Sequence, residues 1–230
     1  METLNKIIEL YNHSTPISEL TCQTTDYQVF KHNNLIRFCD IKSLIKYAPV
    51  GSDKRIDAFS GFSYENPYFW MIPLTTTSSS EIFGFVLKSY HQKAYRNVFC
   101  QEHKCSFFGF HNFHNFKYGY PIILVEGTKD QLIVNKFYPY TLATLTCGLG
   151  QDDLKAVRKL TNKIILCYDN DKSDNDAGPK ATRRDMESLI KSGCKVAKAF
   201  YTGKDPGDLY NNLVAQNILK HSIKSILQNF

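Results

Sequence analysis

The sequence lacks any long apolar run, because no segment approaches the ~20 consecutive apolar residues that a membrane-spanning helix needs. We therefore expect no membrane partner. A secretion signal is also missing, since Leu4, Ile7, Ile8 and Tyr11 recur at the spacing of an amphipathic helix instead of forming one apolar stretch. The 7 cysteines are scattered and odd in number, which favours free thiols in a reducing compartment. These absences predict a cytoplasmic protein.

Tryptophan is scarce, with 1 residue, whereas the chain holds 14 Tyr and 16 Phe. Such an excess of aromatic residues is more typical of core packing than of stacking on bases. Hydrophobic residues make up 43% and charged residues 22% of the 230 positions, which is ordinary for a globular protein of one large or two small domains. The net charge of +6 fits a polyanionic partner, although many proteins without such a partner are equally basic.

The first half of the chain has an irregular pattern. Helices are predicted near residues 3–12 and 34–47, followed by a polar loop from Pro49 to Pro67. Two apolar-rich runs, Tyr68 to Leu74 and Ile82 to Leu87, predict a β-hairpin. We therefore predict a mixed α+β N-terminal region over residues 1–118.

From Pro121 the pattern becomes regular. Predicted strands alternate with predicted helices: strands at 122–125, 141–146, 163–168 and 195–201, and helices at 128–137, 152–160, 181–191 and 209–227. Short and almost wholly apolar runs are typical of strands buried on both faces. The alternation predicts an α/β domain over residues 119–211, with a parallel sheet flanked by helices, and an amphipathic C-terminal helix over residues 212–230.

Acidic residues follow three of the four predicted strands, where the functional crevice of such sheets lies. They are Glu126 and Asp130 after the first strand, Asp169 and Asp171 after the third, and Asp205 and Asp208 after the fourth. Crowded carboxylates raise each other's pKa unless a cation compensates them, and Mg²⁺ favours such oxygen ligands. Two ions about 4 Å apart can activate a nucleophilic oxygen and stabilise a leaving one.

Each of these acids has an alternative interpretation as a helix N-cap, where a carboxylate is favoured by the helix dipole. We prefer that interpretation for Asp152, Asp174 and Asp176. Taken singly, Glu126 and the Asp169/Asp171 pair are weak indications of a metal site. Their occurrence together after two strands of one predicted sheet is a specific indication. Together they predict a divalent-metal-dependent enzyme that acts on nucleic acid.

The acidic motifs resemble those of the Toprim superfamily, which includes bacterial-type primases, topoisomerases, small nucleases and recombination mediators. The three matching stretches are Val125 to Asp130, Tyr168 to Asp171 and Lys204 to Pro206. The resemblance extends upstream to the RNA-polymerase core of bacterial and phage primases, through Ile72–Leu74, Ile82–Phe85, Lys88, Lys93–Asn97 and Phe107–Gly109. Topoisomerases and recombination mediators lack this preceding region, which favours a primase.

The resemblance implies a fold, a reaction and a set of site residues. The fold is a Toprim-like sheet, and the reaction is the synthesis of short RNA primers from NTPs on a single-stranded DNA template. The implied catalytic residues are Glu126, Asp169 and Asp171. The implied ligands of two Mg²⁺ or Mn²⁺ ions are these three with Asp205, Asp130 and Asp208. The implied nucleotide- or nucleic-acid-binding residues are Lys88, Lys93, Arg96, Lys129 and Lys172.

Further partners implied by the resemblance are a replicative helicase and a zinc-module partner chain, and a phage or plasmid source acting in the host cytoplasm would fit a core of this size. The sequence also departs from the family pattern. Asn170 stands between the two aspartates where the family often has Gly, and Ala177-Gly178 comes later, behind the extra residues 173–176. A Toprim nuclease and a non-catalytic replication or recombination accessory protein are the alternatives. Lys88 and the Lys93–Asn97 segment discriminate, since a nuclease does not need them.

Two other groups of residues have competing interpretations. Ligand types suited to zinc occur at Cys100, His103, Cys105, His111 and His114, but their spacing fits no standard zinc site, which favours a structural role. A basic face for phosphate backbones is offered by Lys155, Arg158, Lys159 and Lys163. Solvated helix charges are the alternative for that face, and also for Arg183 and Arg184.

Overall fold

The computed structural model of the protein describes residues 8–9, 11–16, 25–30, 33, 35–40, 68–75, 82–89, 95–99, 107–170 and 176–230. The chain divides into two compact units. The first comprises residues 1–76 and 80–103, and the second comprises residues 77–79 and 104–230. Over the described ranges, none of the helices has the length and apolar character required to cross a bilayer.

The first unit contains a five-stranded antiparallel sheet with the strands in sequence order. The strands are β1 (Thr15–Pro16), β2 (Arg37–Asp40), β3 (Tyr68–Thr75), β4 (Ile82–Ser89) and β5 (Tyr95–Phe99), and a helix, α1, covers Thr25–Phe30. β3 and β4 pair antiparallel with Ile72 opposite Val86, which confirms the predicted hairpin. Both strands are almost completely buried, as their apolar runs require.

The predicted helix near residues 34–47 is wrong where the structure describes it, because Arg37–Asp40 form β2. This strand pairs antiparallel with β3, which places Phe38 opposite Trp70. The Phe38 ring stacks on Tyr68 with ring centroids 5.3 Å apart and meets the edge of Trp70 at 5.1 Å. Such cross-strand aromatic pairs outweigh a weak local helical pattern. Residues 8–9 and 11–13 are helical, in agreement with the predicted helix at 3–12, whereas residues 41–67 lie outside the described part.

The second unit is built on a four-stranded parallel sheet, as predicted. Its strands are β6 (Ile122–Val125), β7 (Thr141–Ala143), β8 (Lys163–Leu166) and β9 (Lys195–Lys198), in the order β7-β6-β8-β9. All three pairings are parallel. The α-helices are α2 (Thr128–Val134), α3 (Gln151–Leu160), α4 (Ala177–Lys191) and α5 (Leu213–Gln228), with 3-10 helices at Phe110–Asn112 and Pro206–Asn211.

One face of this sheet forms the main core with α3 and α4. Its fully buried members include Ile122, Leu124, Ile164 and Leu166 from the strands and Val157 and Leu189 from the helices. Phe107, Phe110 and Phe113 pack into the same core, and Phe108 pairs with Ala143. Residues 107–113, which the sequence analysis assigned to the N-terminal region, therefore belong to the second unit, which begins its main segment at residue 104.

Element ends differ from the predicted ones by a few residues. β7, β8 and β9 end at Ala143, Leu166 and Lys198, two or three residues earlier than predicted. The tail α-helix begins at Leu213 because Asn212 caps it, its side-chain oxygen accepting a hydrogen bond from the Ala215 N–H at 3.0 Å. Asparagine is a preferred residue at this position, so the cap was readable in the sequence.

A candidate metal centre at the carboxyl edge of the parallel sheet

Neighbouring strands bring the first two acidic motifs together. β6 and β8 are hydrogen-bonded partners with Leu124 opposite Leu166. Glu126 directly follows β6, and its carboxylate Oε1 accepts a hydrogen bond of 3.2 Å from the backbone N–H of Asp169, which follows β8. Parallel strands end at the same sheet edge, so this contact is a direct product of the topology.

The third acidic motif is tied to the second by Asn170. Its backbone N–H donates to the Lys204 carbonyl at 2.7 Å, and its side-chain amide donates to the Tyr201 carbonyl at 3.3 Å. The Tyr201 hydroxyl in turn donates to the Tyr168 carbonyl at 2.8 Å. Asn170, one of the departures from the family pattern, thus holds the loop that carries Asp205 against the loop that carries Asp169.

Asp130 links the first motif to the third. It is 5% exposed, and its two carboxylate oxygens accept backbone N–H groups of Gly127 and Gly207, each at 2.8 Å. Gly207 permits this approach, because a Cβ there would lie 2.8 Å from Asp130 Oδ1 and would also meet the side chain of Lys129. Asp130 therefore organises the loops around the site.

Asp205 and Asp208 have separate partners. The Asp205 Oδ1 accepts a hydrogen bond of 2.8 Å from the Asp208 N–H, which caps the 3-10 helix that follows. The Asp208 carboxylate lies 3.2 Å from the Lys129 ammonium, in an ion pair near the surface. Lys129, implied above as a phosphate ligand, thus has an acidic partner within its own domain.

The site concentrates negative charge in a partly buried place. Burial raises the pKa of Glu126 to about 7, and the neighbouring Asp169, Asp185 and Asp205 add to the rise. Burial, followed by the charges of Asp205 and Asp169, likewise raises the pKa of Asp130 well above its usual range. Burial is the largest cause of both shifts, and the neighbouring carboxylates add to it.

The residues at this edge fit a divalent cation in chemistry and charge. They offer hard carboxylate oxygens of the type that Mg²⁺ and Mn²⁺ prefer, and their raised pKa values are those that a bound cation would reverse. Within the described ranges, no three side chains of Asp, Glu, His or Cys already form a closed ligand cluster. Asp171, the second half of the predicted pair, lies outside those ranges. Of the predicted ligands, Glu126 contacts Asp169 through its backbone N–H, and the charge of Asp205 lies near enough to Glu126 to raise its pKa.

Asp185 is a buried acid at this site that the sequence analysis did not identify. It lies on α4, is 2% exposed, and accepts hydrogen bonds from the Leu149 N–H at 2.7 Å and the Tyr168 hydroxyl at 3.1 Å. Arg184 donates to it at 2.9 Å and to the Cys147 carbonyl at 3.1 Å. A signal was available, because the buried face of α4 repeats every four residues as Ala181, Asp185 and Leu189, which puts a carboxylate on an apolar stripe.

Gly178, of the Ala177-Gly178 pair, lies at the site beside Asp169. Gly178, in the first turn of α4, lies so close to the Asp169 backbone that a Cβ would sit 3.1 Å from the Asp169 carbonyl carbon. The backbone of this turn therefore supports Asp169 directly.

The remaining predicted site residues are distributed between the two units. Lys88 lies in β4, is 7% exposed and places its ammonium 5.5 Å from the centre of the Phe30 ring. Arg96 lies in β5 opposite Leu87. The residues outside the described part are Lys93, Cys100, His103, Cys105, Asp171 and Lys172. Of the zinc candidates, His111 is half-buried beside Phe108 and His114 is exposed.

Part of this chain is similar to a known family and to curated proteins. Residues 123–210 match the model of a Toprim-like family. Over 91 residues, 38% of this chain and 14% of the relative, the chain is 36% identical to a DNA primase of Campylobacter jejuni. Over 109 residues, 46% of this chain and 18% of the relative, it is 30% identical to a DNA primase of Thermotoga maritima. The matched region thus spans less than a fifth of either curated relative.

Solved structures show the same fold over nearly the whole chain. The DnaG catalytic core gives a TM-score of 0.69 at 17% identity, covering 99% of this chain and 79% of that one. The DnaG primase catalytic domain bound to ssDNA gives 0.68 at 17% identity, covering 99% and 78%. The Aquifex aeolicus primase, with zinc-binding and RNA polymerase domains, gives 0.68 at 18% identity, covering 99% and 60%. At these identities the likeness establishes the fold.

Proposed function

We propose that this chain, which carries a Toprim-like domain within the fold of a primase catalytic core, is a DNA-dependent primase that makes short RNA primers on single-stranded DNA. The observation that carries the proposal is the convergence of Glu126, Asp169 and Asp205 at one sheet edge, with burial and crowding that raise the pKa of Glu126 to about 7. The two curated relatives, both DNA primases, support the same reaction.

The proposed reaction is attack of a 3′-hydroxyl on the α-phosphate of an NTP. Glu126, Asp169 and Asp205 would hold two Mg²⁺ or Mn²⁺ ions, with Asp171 from the adjoining loop. Such ions, when bound, activate the attacking oxygen and stabilise the leaving one. Asp130 acts through the backbone, since its contacts with Gly127 and Gly207 keep the first and third loops in place.

The basic residues of the proposed site differ in the contacts that they make without a bound phosphate. Lys129 is paired with Asp208, so a phosphate would have to compete with that carboxylate. Lys88 is buried, and its ammonium lies 5.5 Å from the centre of the Phe30 ring. Lys93, Arg96 and Lys172 complete the proposed set of phosphate or template ligands.

We further propose single-stranded DNA and NTPs as substrates, and a zinc module or a helicase as a protein partner. The structure of a similar catalytic domain was solved with ssDNA bound, which supports ssDNA as a substrate. Another similar primase contains a zinc-binding domain beside its RNA polymerase domain, which supports a zinc module as a partner. The proposed compartment is the cytoplasm, where chromosomal or phage DNA is replicated in a bacterium.

One assay tests this proposal against its alternatives. The protein is incubated with single-stranded DNA, labelled NTPs and Mg²⁺ or Mn²⁺, and the products are separated by size. Labelled oligoribonucleotides are the expected result. Shortened DNA without labelled product would instead identify a nuclease, and no product would leave an accessory role. Glu126→Gln serves as the inactive control, and Lys220→Gln, an exposed change on α5, serves as the matched active one.

A further inference from the structure

Cations gather at the amino edge of the parallel sheet, opposite the acidic edge. We define the amino-edge surface by Tyr118 and six basic residues, namely Lys117, Arg158, Lys159, Lys163, Lys191 and Lys195. Five of the six cations are exposed, and Lys163 is half-buried. The acids Glu126, Asp130, Asp169 and Asp205 lie at the other edge, so the second unit has one negative and one positive end.

Helix dipoles account for only half of these cations. Arg158 and Lys159 end α3, and Lys191 ends α4, where a positive charge is favourable. Lys163 and Lys195, however, begin two adjacent strands and are direct register partners, so their charges repel. None of the six forms an ion pair with an acid in the part of the chain that the structure describes.

Backbone contacts bring the segments that carry these cations together. The Gly119 N–H donates to the Leu160 carbonyl at 3.4 Å, which joins the turn after Lys117 to the end of α3. The Lys195 N–H donates to the Asn162 carbonyl at 2.7 Å, which joins the starts of β8 and β9. The charge of Arg158 is near enough to act on the thiol of Cys194, whose pKa burial raises and this arginine lowers. The three loops therefore form one continuous edge.

The cations surround this edge from both sides. α3 and α4 pack on the sheet face that contains Ile164 and Val196, so Arg158 and Lys191 lie at that face. Side chains alternate along a strand, and Lys163 and Lys195 therefore leave from the opposite face. A flexible polyanion that crosses the edge would meet both groups, whereas a flat acidic surface would meet only one.

An exposed aromatic ring lies among these charges. Tyr118 is 74% exposed and adjoins Lys117 in the turn that contacts α3. Tyr120, two residues later, packs its ring against Phe116 and Tyr140, while no ring of the described residues lies against Tyr118. Basic side chains with an open aromatic ring between them are the combination that binds single-stranded nucleic acid, through phosphate contacts and base stacking.

We propose that the amino-edge surface is a binding site for single-stranded nucleic acid, separate from the acidic edge. From Lys163 to Asp169 the chain advances about 20 Å at the rise of an extended strand, so a nucleic acid bound at the amino edge leaves the carboxylates accessible. The binding goes beyond the proposed synthesis of primers and does not require it. It would hold the single-stranded nucleic acid at a place remote from the reacting atoms.

The test is direct binding of a fluorescent oligothymidine in a chelator and without nucleotides. The triple variant Arg158→Gln, Lys159→Gln, Lys195→Gln is expected to bind at least tenfold more weakly. The slope of log affinity against log salt should fall by about 2, since each phosphate contact to a single strand contributes about 0.7. The matched control Lys136→Gln, Lys220→Gln, Lys224→Gln removes the same charge elsewhere in the second unit and should bind as the wild type does. Equal weakening of both triple variants would overturn the proposal.

A second measurement distinguishes nucleic acid from other polyanions. Tyr118→Ala should weaken oligothymidine binding at least fivefold, because stacking on one base is lost, whereas Tyr118→Phe should retain it. Neither change should alter binding of polyglutamate, which has no bases. Unchanged oligothymidine affinity in Tyr118→Ala would refute the nucleic-acid assignment.

The outcome is independent of the proposed enzymatic function. Glu126→Gln should bind the oligonucleotide normally in chelator, because it lies at the other edge. If the wild type binds the oligonucleotide but makes no primers, the proposed function is refuted and the amino-edge site is not. If the wild type makes primers but the Arg158/Lys159/Lys195 triple variant binds the oligonucleotide normally, the amino-edge site is refuted and the proposed function is not.

Discussion

Burial and three neighbouring carboxylates hold Glu126 at a pKa of about 7, whereas an unperturbed glutamate titrates near 4.3. Between these two pH values the folded protein keeps a proton that the unfolded chain has released. The stability that this proton provides is present in full below the unfolded pKa and is lost as pH rises through the folded one. At the residue scale, we therefore expect the melting temperature in chelator to fall between about pH 5 and pH 7.

Glu126→Gln removes this titration and should flatten that part of the melting-temperature profile. The variant should also be at least as stable as the wild type at pH 8 in chelator, because one charge has been taken from a crowded site. Parallel profiles for the two proteins would contradict the assignment of the shift to Glu126.

The same substitution is expected to abolish primer synthesis, because glutamine keeps the shape of the side chain but offers no anionic oxygen to a metal ion. Product formation is measured on single-stranded DNA with labelled NTPs, beside a circular dichroism spectrum that reports the fold. Activity at the wild-type level in a folded Glu126→Gln protein would remove this residue from the catalytic set.

Gly207 lies where a side chain would collide with its surroundings. A Cβ at this position would approach Asp130 Oδ1 to 2.8 Å and would press on Lys129. We expect Gly207→Ala to lower the free energy of unfolding by about 1–3 kcal/mol, as overpacking typically does. Gly150→Ala is the control, since Gly150 lies at the start of α3 and its Cβ would reach only to 3.1 Å from Asp153. The free energy of unfolding of both variants is measured by urea denaturation. Equal losses in the two variants would contradict the close approach of Gly207 to Asp130 and Lys129.

At the scale of elements, Asp185 connects α4 to the loop after β7. Asp185→Ala would leave the Leu149 N–H and the Tyr168 hydroxyl without their acceptor in a buried place, which costs about 1–3 kcal/mol for each such group. Arg184→Gln removes a half-exposed partner and should cost no more than about 1 kcal/mol. The two free energies of unfolding are measured in urea. A smaller loss in Asp185→Ala than in Arg184→Gln would reverse this ranking.

Two strands show how neighbouring elements override local pattern. Residues 37–40 carry a weak helical signal, yet they form β2 because Phe38 packs on Tyr68 and Trp70 across the sheet. β8 ends at Leu166 although Cys167 and Tyr168 continue its apolar run, and the Tyr168 hydroxyl turns into the core to reach Asp185. The partners of Phe38 and of Tyr168 both lie more than fifteen residues away in sequence.

At the scale of the whole molecule, a divalent ion should stabilise the protein by binding only the folded state. We expect Mg²⁺ or Mn²⁺ to raise the melting temperature of the wild type more than that of Asp169→Asn. The rise in melting temperature should also be larger at pH 8 than at pH 5. At pH 5 Glu126 is protonated, and the proton competes with the metal ion for its carboxylate. Thermal denaturation across a metal titration tests both statements, and equal shifts in the two proteins would remove Asp169 from the metal site.

The separation of charge between the two sheet edges is also a property of the whole molecule. Every crossover helix of the second unit starts at the carboxyl edge and ends at the amino edge, which the parallel order of the strands imposes. Acids that follow strands and cations that end helices are therefore sorted to opposite ends. The net charge of +6 does not reveal this arrangement, because a net charge says nothing about where the charged residues lie.

The sequence by itself determined the parallel sheet and the three loops that meet at its carboxyl edge. Apolar runs such as Ile122–Val125 have no stable place except the interior of a sheet, and the polar residue after each run must lie at its end. Glu126 and Asp169 could therefore be identified as neighbours before any contact was known. The Asn212 cap follows from equally local chemistry.

Only the tertiary structure decided what each acid does there. Asp130 and Asp205 both follow a strand. The Asp130 carboxylate accepts the N–H of Gly127, at the start of its own helix, and the N–H of Gly207 in a distant loop, whereas Asp205 accepts an N–H of the 3-10 helix that it caps. Asp185 lies in the middle of a helix and joined the site because α4 packs beside Tyr168. Sequence spacing records which residues are near along the chain, whereas hydrogen bonding and burial depend on partners that folding alone brings within reach.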